Sequence, residues 1–241
     1  MIVKKENQEL LPNMSRLWEA LKTGSQVMED TYCLGLLQPL MIGYNYLPFT
    51  VPTLRPFCLA HILNDIVVNE RKSIVEFGSG VSTIMIGRLI KKNNLKTRLL
   101  TVEHDREWAN VLAGIVRGEG THDVIDITHA PLKESNLSVE SNLWYDVNVL
   151  NDQTANKQFD MVIIDGPPAW QTGNEMARYP AVPYILNKLS RRFCIYLDDA
   201  DRPGETSIRQ IWEKDYSIEF MKAGGTLAHF TAGESFYTTP I

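Results

Sequence analysis

An alternation of short apolar segments with longer segments of helical periodicity begins at residue 71, and it is the feature that most constrains the fold. Short apolar runs bounded by turn residues predict buried strands. Strands that alternate with helices form βαβ units, and these build a largely parallel sheet with helices on both faces. The predicted strands are Ser73–Phe77, Leu99–Glu103, Val124–His129, Asp160–Ile164 and Phe193–Leu197, and the predicted helices are Val81–Lys91, Arg106–Arg117, Glu175–Leu189 and Thr206–Glu213.

Two further strands, Tyr216–Met221 and Thr226–Thr231, are joined through Gly224 and Gly225 with no helix between them. This pattern predicts a closing antiparallel hairpin, so we expect an α/β fold with a doubly wound, mostly parallel sheet. In such sheets, ligands bind beyond the carboxyl ends of the strands, near the point where the strand order reverses. The candidate functional residues are therefore those that directly follow each strand.

The first 70 residues differ in character from the rest of the chain. Leu11 to Asp30 has the apolar spacing of an amphipathic helix, Leu34 to Phe49 is an apolar, loop-like stretch, and Phe57 to Val68 is again helical. No glycine-rich linker separates these segments from the first predicted strand. We therefore expect a helical N-terminal cap, residues 1–70, that packs on a main domain, residues 71–241, and covers its active site.

Composition excludes several classes of protein. The 241-residue chain is 44% apolar and 22% charged, as in ordinary globular proteins, and its net charge of −5 provides no global field for binding nucleic acid. Cys33, Cys58 and Cys194 share no metal-ligand spacing. No apolar run reaches the roughly 18 residues that span a bilayer, and the N-terminus lacks the apolar core of a signal peptide. We therefore expect a cytoplasmic protein with neither nucleic-acid nor membrane partners.

A glycine turn and an acidic residue follow the first two predicted strands. Gly78 and Gly80 flank Ser79 directly after the first strand, and bare backbone at such a turn allows a ligand to approach closely. Glu103 ends the second strand, where a carboxylate can accept hydrogen bonds from two ribose hydroxyls. Each feature alone also fits a plain strand–helix turn or a solvated loop residue, whereas the pair indicates a nucleoside cofactor.

The residues around the glycine turn argue against a nicotinamide dinucleotide. Glu76 lies just before the glycines, where its charge would repel a pyrophosphate. Thr83 stands where the dinucleotide motif has a small residue. An acidic residue at this place suits instead a ligand that carries an ammonium group and a sulfonium centre.

Three segments carry a resemblance to a known family. VEFGSGVST followed by TVEHD resembles the first two motifs of class I S-adenosylmethionine-dependent methyltransferases, and FDMVIIDGPP resembles a later motif in which an acidic residue closes a strand. The resemblance covers about residues 71–231 and implies a Rossmann-like fold with a seven-stranded sheet and S-adenosylmethionine as cofactor. The residues that it implies at the methionine end are Glu76, Gly78, Ser79 and Gly80, and the residue that it implies at the ribose is Glu103.

Other residues are expected in the same cofactor pocket. His104 lies next to the carboxylate that the resemblance assigns to the ribose, and Asp165 closes the fourth predicted strand. Many relatives place an Asp after the third strand to receive the adenine amino group, but this chain has no acidic residue there. The backbone around His129 and Ala130 is the candidate for that contact.

An acidic cluster is expected at the neighbouring strand ends. Asp165 ends the fourth predicted strand, and Asp198 and Asp199 end the fifth. Carboxylates that converge repel one another unless a proton or cation holds them, and oxygen ligands favour Mg²⁺ or another hard divalent cation. The pattern resembles divalent-metal O-methyltransferases, such as the catechol and macrolide-sugar enzymes. Alternatively, Asp198 or Asp199 caps the following helix or pairs with Arg202, and the sequence leaves both possibilities open.

The predicted catalytic residue is Asp165. Catechol O-methyltransferases carry a Lys three residues after the equivalent Asp, whereas this chain has Pro168, so Asp165 or a bound metal would have to replace that base. Arg178 and Tyr179 are expected in an exposed loop, and Trp108 is expected to contribute to helix packing.

We therefore expect a methyltransferase that transfers a methyl group to a hydroxyl of a small molecule or sugar. Its partner would be this small-molecule acceptor, and the sequence is compatible with a homodimer. Two alternatives stay open: an N-methyltransferase that needs no metal, and a noncatalytic binding module that keeps the fold and the cofactor pocket.

Overall fold

A seven-stranded sheet organises the structure, a computed structural model that describes residues 21–139 and 142–240. The strands are β1 Ser73–Phe77, β2 Arg98–Glu103, β3 Ile125–His129, β4 Leu132–Lys133, β5 Trp144–Tyr145, β6 Phe159–Ile164, β7 Leu189–Leu197, β8 Met221–Gly224 and β9 Leu227–Ala232. The main sheet has the order β3-β2-β1-β6-β7-β9-β8, and β4 and β5 form a separate antiparallel pair. The first five strands of this order run parallel, and β9 pairs antiparallel with both β7 and β8. The predicted mostly parallel sheet with a closing hairpin is confirmed.

Helices cover both faces of the sheet. The described helices are α1 (residues 21–37), α2 Pro56–Val68, α3 Val81–Lys92, α4 Arg106–Gly118, α5 Val147–Thr154, α6 Ala181–Ile185 and α7 Pro203–Tyr216, with 3₁₀ turns at Gln38–Leu40 and Leu186–Lys188. Along β1, Ile74 joins the hydrophobic cluster beneath α2 and α3, whereas Val75 and Phe77 join the cluster beneath α6 and α7. Because both faces of β1 are covered, apolar side chains project to both of them, Ile74 to one and Val75 and Phe77 to the other.

The strand order reverses between β1 and β6. From β1 the chain continues to β2 on one side, whereas β6 leads to β7 on the other side. Backbone hydrogen bonds join the two strand ends at this place, since the amide of Asp165 donates to the carbonyl of Phe77. The crevice beyond these ends is the place where doubly wound sheets bind their ligands.

Several predicted elements differ from the structure. The predicted helix Glu175–Leu189 is reduced to Ala181–Ile185 and a 3₁₀ turn, and β7 begins at Leu189 rather than at Phe193. The predicted strand Tyr216–Met221 is wrong, because α7 continues to Tyr216 and ends at Ser217, which has the left-handed φ of 56°. The predicted helix between Leu11 and Asp30 lies partly outside the described residues, and α1 continues to residue 37, so the stretch predicted to be loop-like from Leu34 begins in a helix.

The described part of the predicted cap shares its core with the sheet. Leu37, Leu54 and Ile62 belong to the same buried cluster as Ile74. Arg88 of α3 donates a hydrogen bond to the carbonyl of Leu40 and lies over the ring of Tyr44. Within residues 21–139 and 142–240, no helix combines the length and the apolar character that crossing a membrane requires.

Candidate functional site

The turn after β1 is built against the end of β6. Gly78 has φ +95°, and a Cβ atom at this position would lie 2.8 Å from the backbone nitrogen of Gly166. Both the left-handed conformation and the close backbone approach therefore require glycine. Gly80 is different, because its backbone is extended and no atom lies within 4 Å of a Cβ built there. The open space at Gly80 lies at the N-terminus of α3.

Glu103 is buried at the end of β2, and hydrogen-bond donors surround its carboxylate. Oε2 accepts hydrogen bonds from the hydroxyl of Ser79 at 2.6 Å and from its amide at 3.3 Å. Oε1 accepts from the amide of Asp105 at 2.8 Å and lies 2.9 Å from Nδ1 of His104. Burial alone would raise the pKa of Glu103, but the hydrogen bonds from His104, Ser79 and Asp105 outweigh it and hold the pKa below its ordinary value. The carboxylate is therefore charged at neutral pH.

Glu76 lies beneath the glycine turn rather than at its surface. Its Oε2 accepts hydrogen bonds from the hydroxyls of Thr83 at 2.5 Å and Thr101 at 2.8 Å, and the residue is fully buried. Burial raises the pKa of Glu76, and the threonine hydroxyls act in the opposite direction. Glu76 does not line the cavities at the strand ends, so its predicted contact with the methionine end stays a prediction.

The segment after β3 also lies behind the cavities. Nε2 of His129 lies 3.1 Å from the carbonyl oxygen of His104, and Ala130 is fully buried with its amide bonded to the carbonyl of Glu103. Neither His129 nor Ala130 lines the cavities beside Glu103. Their predicted adenine contact stays a prediction.

The three acidic residues predicted at the strand ends lie together. One carboxylate oxygen from each of Asp165, Asp198 and Asp199 lies within 4.8 Å of the others, and no other such cluster of three or more His, Cys, Asp or Glu residues occurs in the described chain. Burial and the nearby charge of Asp198 raise the pKa of Asp165 well above its ordinary value. Burial and the charge of Asp199 likewise raise the pKa of Asp198. The sheet therefore brings the three carboxylates together at a cost in electrostatic repulsion.

Arg178 supplies a buried positive charge to this cluster. Its Nη2 lies 3.4 Å from Oδ1 of Asp165 and 3.3 Å from Oδ2 of Asp199, and its Nη1 lies 3.5 Å from Oε1 of Glu205. The guanidinium also donates to the carbonyls of Asp165, Pro167 and Asp198, at the ends of β6 and β7. The prediction that Arg178 and Tyr179 lie in an exposed loop is wrong, because both are buried.

The local contacts of the acidic pair agree with the Arg202 ion-pair alternative but not with the helix-cap alternative. Arg202 lies 2.9 Å from Oδ2 of Asp199, as the ion-pair alternative predicts. Asp198 instead accepts a hydrogen bond from the hydroxyl of Thr226 on the hairpin side. Asp199 has the left-handed φ of 55°, a conformation that Asp tolerates better than most residues. Neither side chain caps α7, whose N-cap residue, Arg202, makes no side-chain capping bond.

Two adjoining cavities lie beyond the strand ends. The first, of about 280 Å³, contacts the cofactor-site and acidic-cluster candidates Gly78, Ser79, Glu103, His104, Asp165 and Asp199. The second, of about 490 Å³, lies between the loop at residues 47–54 and the N-terminal part of α3, and its walls are largely apolar. Pro52, Ser79, Trp108 and Asp165 line both cavities, so the cavities are adjacent spaces with shared walls.

Sequence reasoning missed several residues of the first cavity, among them Trp108, Tyr145 and Pro52. Trp108 was expected in helix packing, yet it is 38% exposed and its Nε1 donates to the carbonyl of Ser79. Tyr145 comes from the irregular stretch after β3, and its buried hydroxyl has no hydrogen-bond partner in the described chain. Pro52 comes from the predicted cap. Of these residues, only Trp108 could have been found from the sequence, because it lies in the first turn of the helix that follows Glu103.

Comparison with known proteins identifies the family. A family model described as "Methyltransferase domain" matches residues 75–200, which is more than half of the chain. The chain therefore belongs to this methyltransferase family, and the resemblance to class I S-adenosylmethionine-dependent methyltransferases is confirmed. No protein with a curated description matches the sequence.

Solved structures from several organisms share the fold. The methyltransferase PaMTH1 from Podospora anserina, solved with S-adenosylhomocysteine, is 14% identical and has a TM-score of 0.60, with 88% of this chain and 96% of that chain covered. An O-methyltransferase from Bacillus cereus, also solved with S-adenosylhomocysteine, is 15% identical with a TM-score of 0.52, covering 85% and 90%. The O-methyltransferase TomG from Streptomyces achromogenes, which is involved in tomaymycin synthesis, is 14% identical with a TM-score of 0.51, covering 85% and 90%.

Proposed function

We propose that this methyltransferase uses S-adenosylmethionine to methylate a hydroxyl oxygen of a small molecule. The observation that carries the proposal is the first cavity, where the charged carboxylate of Glu103 and the acidic cluster around Asp165 face the same space. The Glu103 carboxylate can accept hydrogen bonds from the ribose hydroxyls of a nucleoside, and the Asp165 carboxylate can accept the proton of a substrate hydroxyl. The Bacillus cereus and Streptomyces achromogenes proteins are both described as O-methyltransferases, which supports the choice of oxygen.

The chemistry of the donor set fits the cofactor. Glu103 is charged and accepts hydrogen bonds, so ribose hydroxyls would take the place of the Ser79 hydroxyl or of His104 on its oxygens. The orphaned hydroxyl of Tyr145 offers a further polar contact in the same cavity. S-adenosylmethionine, when bound, supplies a methyl group that its sulfonium centre already activates. The protein therefore has mainly to align the acceptor and exclude water.

Asp165 is the proposed proton acceptor for the hydroxyl group of the substrate. Its side chain is part-exposed, lines both cavities and is held at the end of β6 by the guanidinium of Arg178. The raised pKa makes Asp165 a stronger base than an ordinary carboxylate in its ionised form. The second cavity, which adjoins Asp165 and is roofed by residues 47–54, is the proposed site of the acceptor.

A divalent cation such as Mg²⁺ is the second part of the proposal. The donor chemistry fits, because Asp165, Asp198 and Asp199 offer oxygen ligands within 4.8 Å of one another. A cation held there would lower the pKa of a hydroxyl bound to it. Arg178 and Arg202 already contribute positive charge to the same cluster. If the cation is needed, EDTA abolishes turnover and Mg²⁺ restores it, whereas full turnover in EDTA would leave the arginines as the neutralising groups.

Methyl transfer from isotopically labelled S-adenosylmethionine to a panel of hydroxylated small molecules and their amine analogues tests the function. We expect label in the hydroxyl compounds, with S-adenosylhomocysteine as the second product. Asp165→Asn should lower kcat by roughly 10²–10⁴-fold, the usual contribution of a proton acceptor. The matched control is Asp152→Asn on the exposed surface of α5. Failure of the wild-type protein to bind S-adenosylhomocysteine in calorimetry would overturn the proposal. Label found only in the amine analogues would show that the methyl acceptor is nitrogen and not oxygen.

A further inference from the structure

Two histidines and a tyrosine meet on the sheet face that α2 covers, away from the candidate active site. The antiparallel register of β7 and β9 places Tyr196 directly opposite His229, and His61 of α2 lies over this pair. The ring centroids of His61 and His229 are 5.6 Å apart, and the ring of Tyr196 lies 5.5 Å from His61 and 5.9 Å from His229.

Neither imidazole has a hydrogen-bond partner within residues 21–139 and 142–240. The Nδ1 atoms of both His61 and His229 are buried and unpartnered, and His61 is only 2% exposed. A buried polar group without a partner costs on the order of 1–3 kcal/mol, so two such groups side by side are unusual in a packed core. The Nδ1 atom of each ring is therefore not committed to another group of the described chain.

A cavity of about 390 Å³ lies next to the two rings. His61 and His229 line it together with Tyr196, and the exposed Lys222 and Tyr237 also border it. None of its lining residues lines either of the cavities beside Glu103. The cavity is therefore a separate space with its own opening.

The wall of this cavity is fixed by hydrogen bonds. Asp65, one helical turn after His61, accepts from the hydroxyl of Tyr196 at 2.9 Å and pairs with Arg71 at 3.0 Å. Asn69 accepts from the amide of Phe236 at 2.7 Å and donates to its carbonyl at 3.2 Å, which fastens the C-terminal segment as one side of the cavity. Because these bonds engage both carboxylate oxygens of Asp65, the imidazoles of His61 and His229 are the remaining candidate ligands in this wall.

We propose that His61 and His229 form a second ligand site, which binds a borderline divalent transition-metal ion such as Zn²⁺ or Co²⁺. Two imidazoles on one tetrahedral Zn²⁺, with Zn–N distances of about 2.0–2.1 Å, have ring centroids roughly 5 Å apart, close to the spacing observed here. Imidazole nitrogen favours these ions, whereas the carboxylates of the acidic cluster favour Mg²⁺. Water molecules from the cavity complete the coordination.

Protons compete weakly for this site at neutral pH. Burial, together with the neighbouring His229, lowers the pKa of His61 to about 4, and burial also lowers the pKa of His229, although Asp65 acts in the opposite direction on both. Arg71 is paired with Asp65, and the remaining charged group that borders the cavity is Lys222. The imidazoles are thus in the neutral form that binds metal ions.

Calorimetric titration of the untagged protein with Zn²⁺, and absorption spectra with Co²⁺, test the proposal. We expect one site per chain, the visible bands of four-coordinate Co²⁺, and a Zn²⁺-dependent rise in Tm. His61→Gln and His229→Gln should each weaken Zn²⁺ binding by at least about tenfold, since loss of even an outer contact to a ligand costs roughly 10–100-fold. Circular dichroism establishes that each variant is folded, and His229, which is only half-buried, is the safer substitution.

Two matched controls separate this site from the others. His122→Gln removes an exposed histidine, and Asp165→Asn disables the acidic cluster; both variants should keep the Zn²⁺ site and the Co²⁺ spectrum. Wild-type affinity in His229→Gln, absence of the Co²⁺ bands, or loss of binding only in Asp165→Asn would each overturn the proposal. In those cases, the three rings act only by packing between α2 and the sheet.

Discussion

At the scale of single residues, the charge of Glu103 depends on donors that the turn after β1 provides. Ser79 can reach the carboxylate because Gly78 allows the chain to turn sharply between β1 and α3. His104 and the Asp105 amide contact the other oxygen from the opposite side. The residues that contact the carboxylate are therefore neighbours in sequence of the two strand ends; Ser79 and His104 were predicted near Glu103, whereas Asp105 was not.

Glu103→Gln should weaken the binding of S-adenosylhomocysteine. The amide keeps the size of the side chain but removes the negative charge, and hydrogen bonds to charged groups contribute about 1.5–3 kcal/mol, or roughly 10- to 100-fold in Kd. Calorimetry measures the change. Glu107→Gln, exposed on the first turn of α4, is the control and should bind normally. Equal affinities of the two variants would contradict the role given to Glu103.

Gly78→Ser should destabilise the protein, whereas Gly80→Ser should not. A side chain at residue 78 needs a φ of +95° and meets the backbone of Gly166, and the strained conformation alone costs about 1–3 kcal/mol. At residue 80 the backbone is extended, nothing lies within 4 Å, and serine is a favourable N-cap for α3. Urea denaturation measures both changes. Similar stability of the two variants would show that the turn can rearrange.

At the scale of elements, the ends of β6 and β7 depend on a residue that lies outside both. Arg178 precedes α6 in the chain, yet its three nitrogen atoms contact carbonyls and carboxylates at both strand ends and reach Glu205 at the start of α7. These contacts hold the acidic cluster in position. No spacing in the sequence connects Arg178 with residues 20 or more positions away, so this part of the site could not be predicted.

Arg178→Met should cost about 3–5 kcal/mol of stability, because it leaves buried carboxylates without their counter-ion. Arg202→Met, which removes a half-exposed partner of Asp199, should cost at most about 1 kcal/mol. Without Arg178 the pKa values of Asp165 and Glu205 in the folded state rise further above their unfolded values, so stability is lost as the pH rises through them and regained at lower pH. Urea denaturation between pH 5 and pH 8 measures this trend. A deficit that grows on acidification would contradict it.

The elements themselves were predictable to different degrees. β1 was predicted at its observed bounds, and β2 and β6 within one residue, because a strand buried on both faces is a short apolar run between turn residues. The region from Glu175 to Leu189 was not predicted correctly, because its prolines and apolar residues are compatible both with an interrupted helix and with the observed turns and short α6. The closing strand β8 was placed too early, since α7 continues without a proline or glycine to mark its end.

At the scale of the whole molecule, the described helices before β1 share one buried cluster with the sheet. Leu59, Ile62 and Ile66 of α2 are almost completely buried in one cluster with residues of β1, β6 and β7. Arg88 of α3 is bound to the turn after α1. The roof of the second cavity and the core beneath it are thus parts of one continuous structure.

Removal of residues 1–70 should abolish cooperative folding. Burial of a large apolar side chain contributes about 1.5–3 kcal/mol, so loss of the buried side chains of Leu59, Ile62 and Ile66 alone amounts to much of the total stability of about 5–15 kcal/mol. Near-ultraviolet circular dichroism and thermal unfolding of the fragment 71–241 measure this effect. A fragment that unfolds cooperatively would show that the predicted cap is a separate module.

The contacts of Arg178 also decide which acceptors the cleft can admit. Each of the three guanidinium nitrogens of this buried arginine already contacts a carbonyl or carboxylate oxygen of the protein itself, so most of its donors are not available to a phosphate or carboxylate on an incoming molecule. Four carboxylates, those of Asp165, Asp198, Asp199 and Glu205, surround only two arginines, Arg178 and Arg202. The cleft should therefore discriminate by charge, rejecting anionic compounds and admitting neutral or cationic ones.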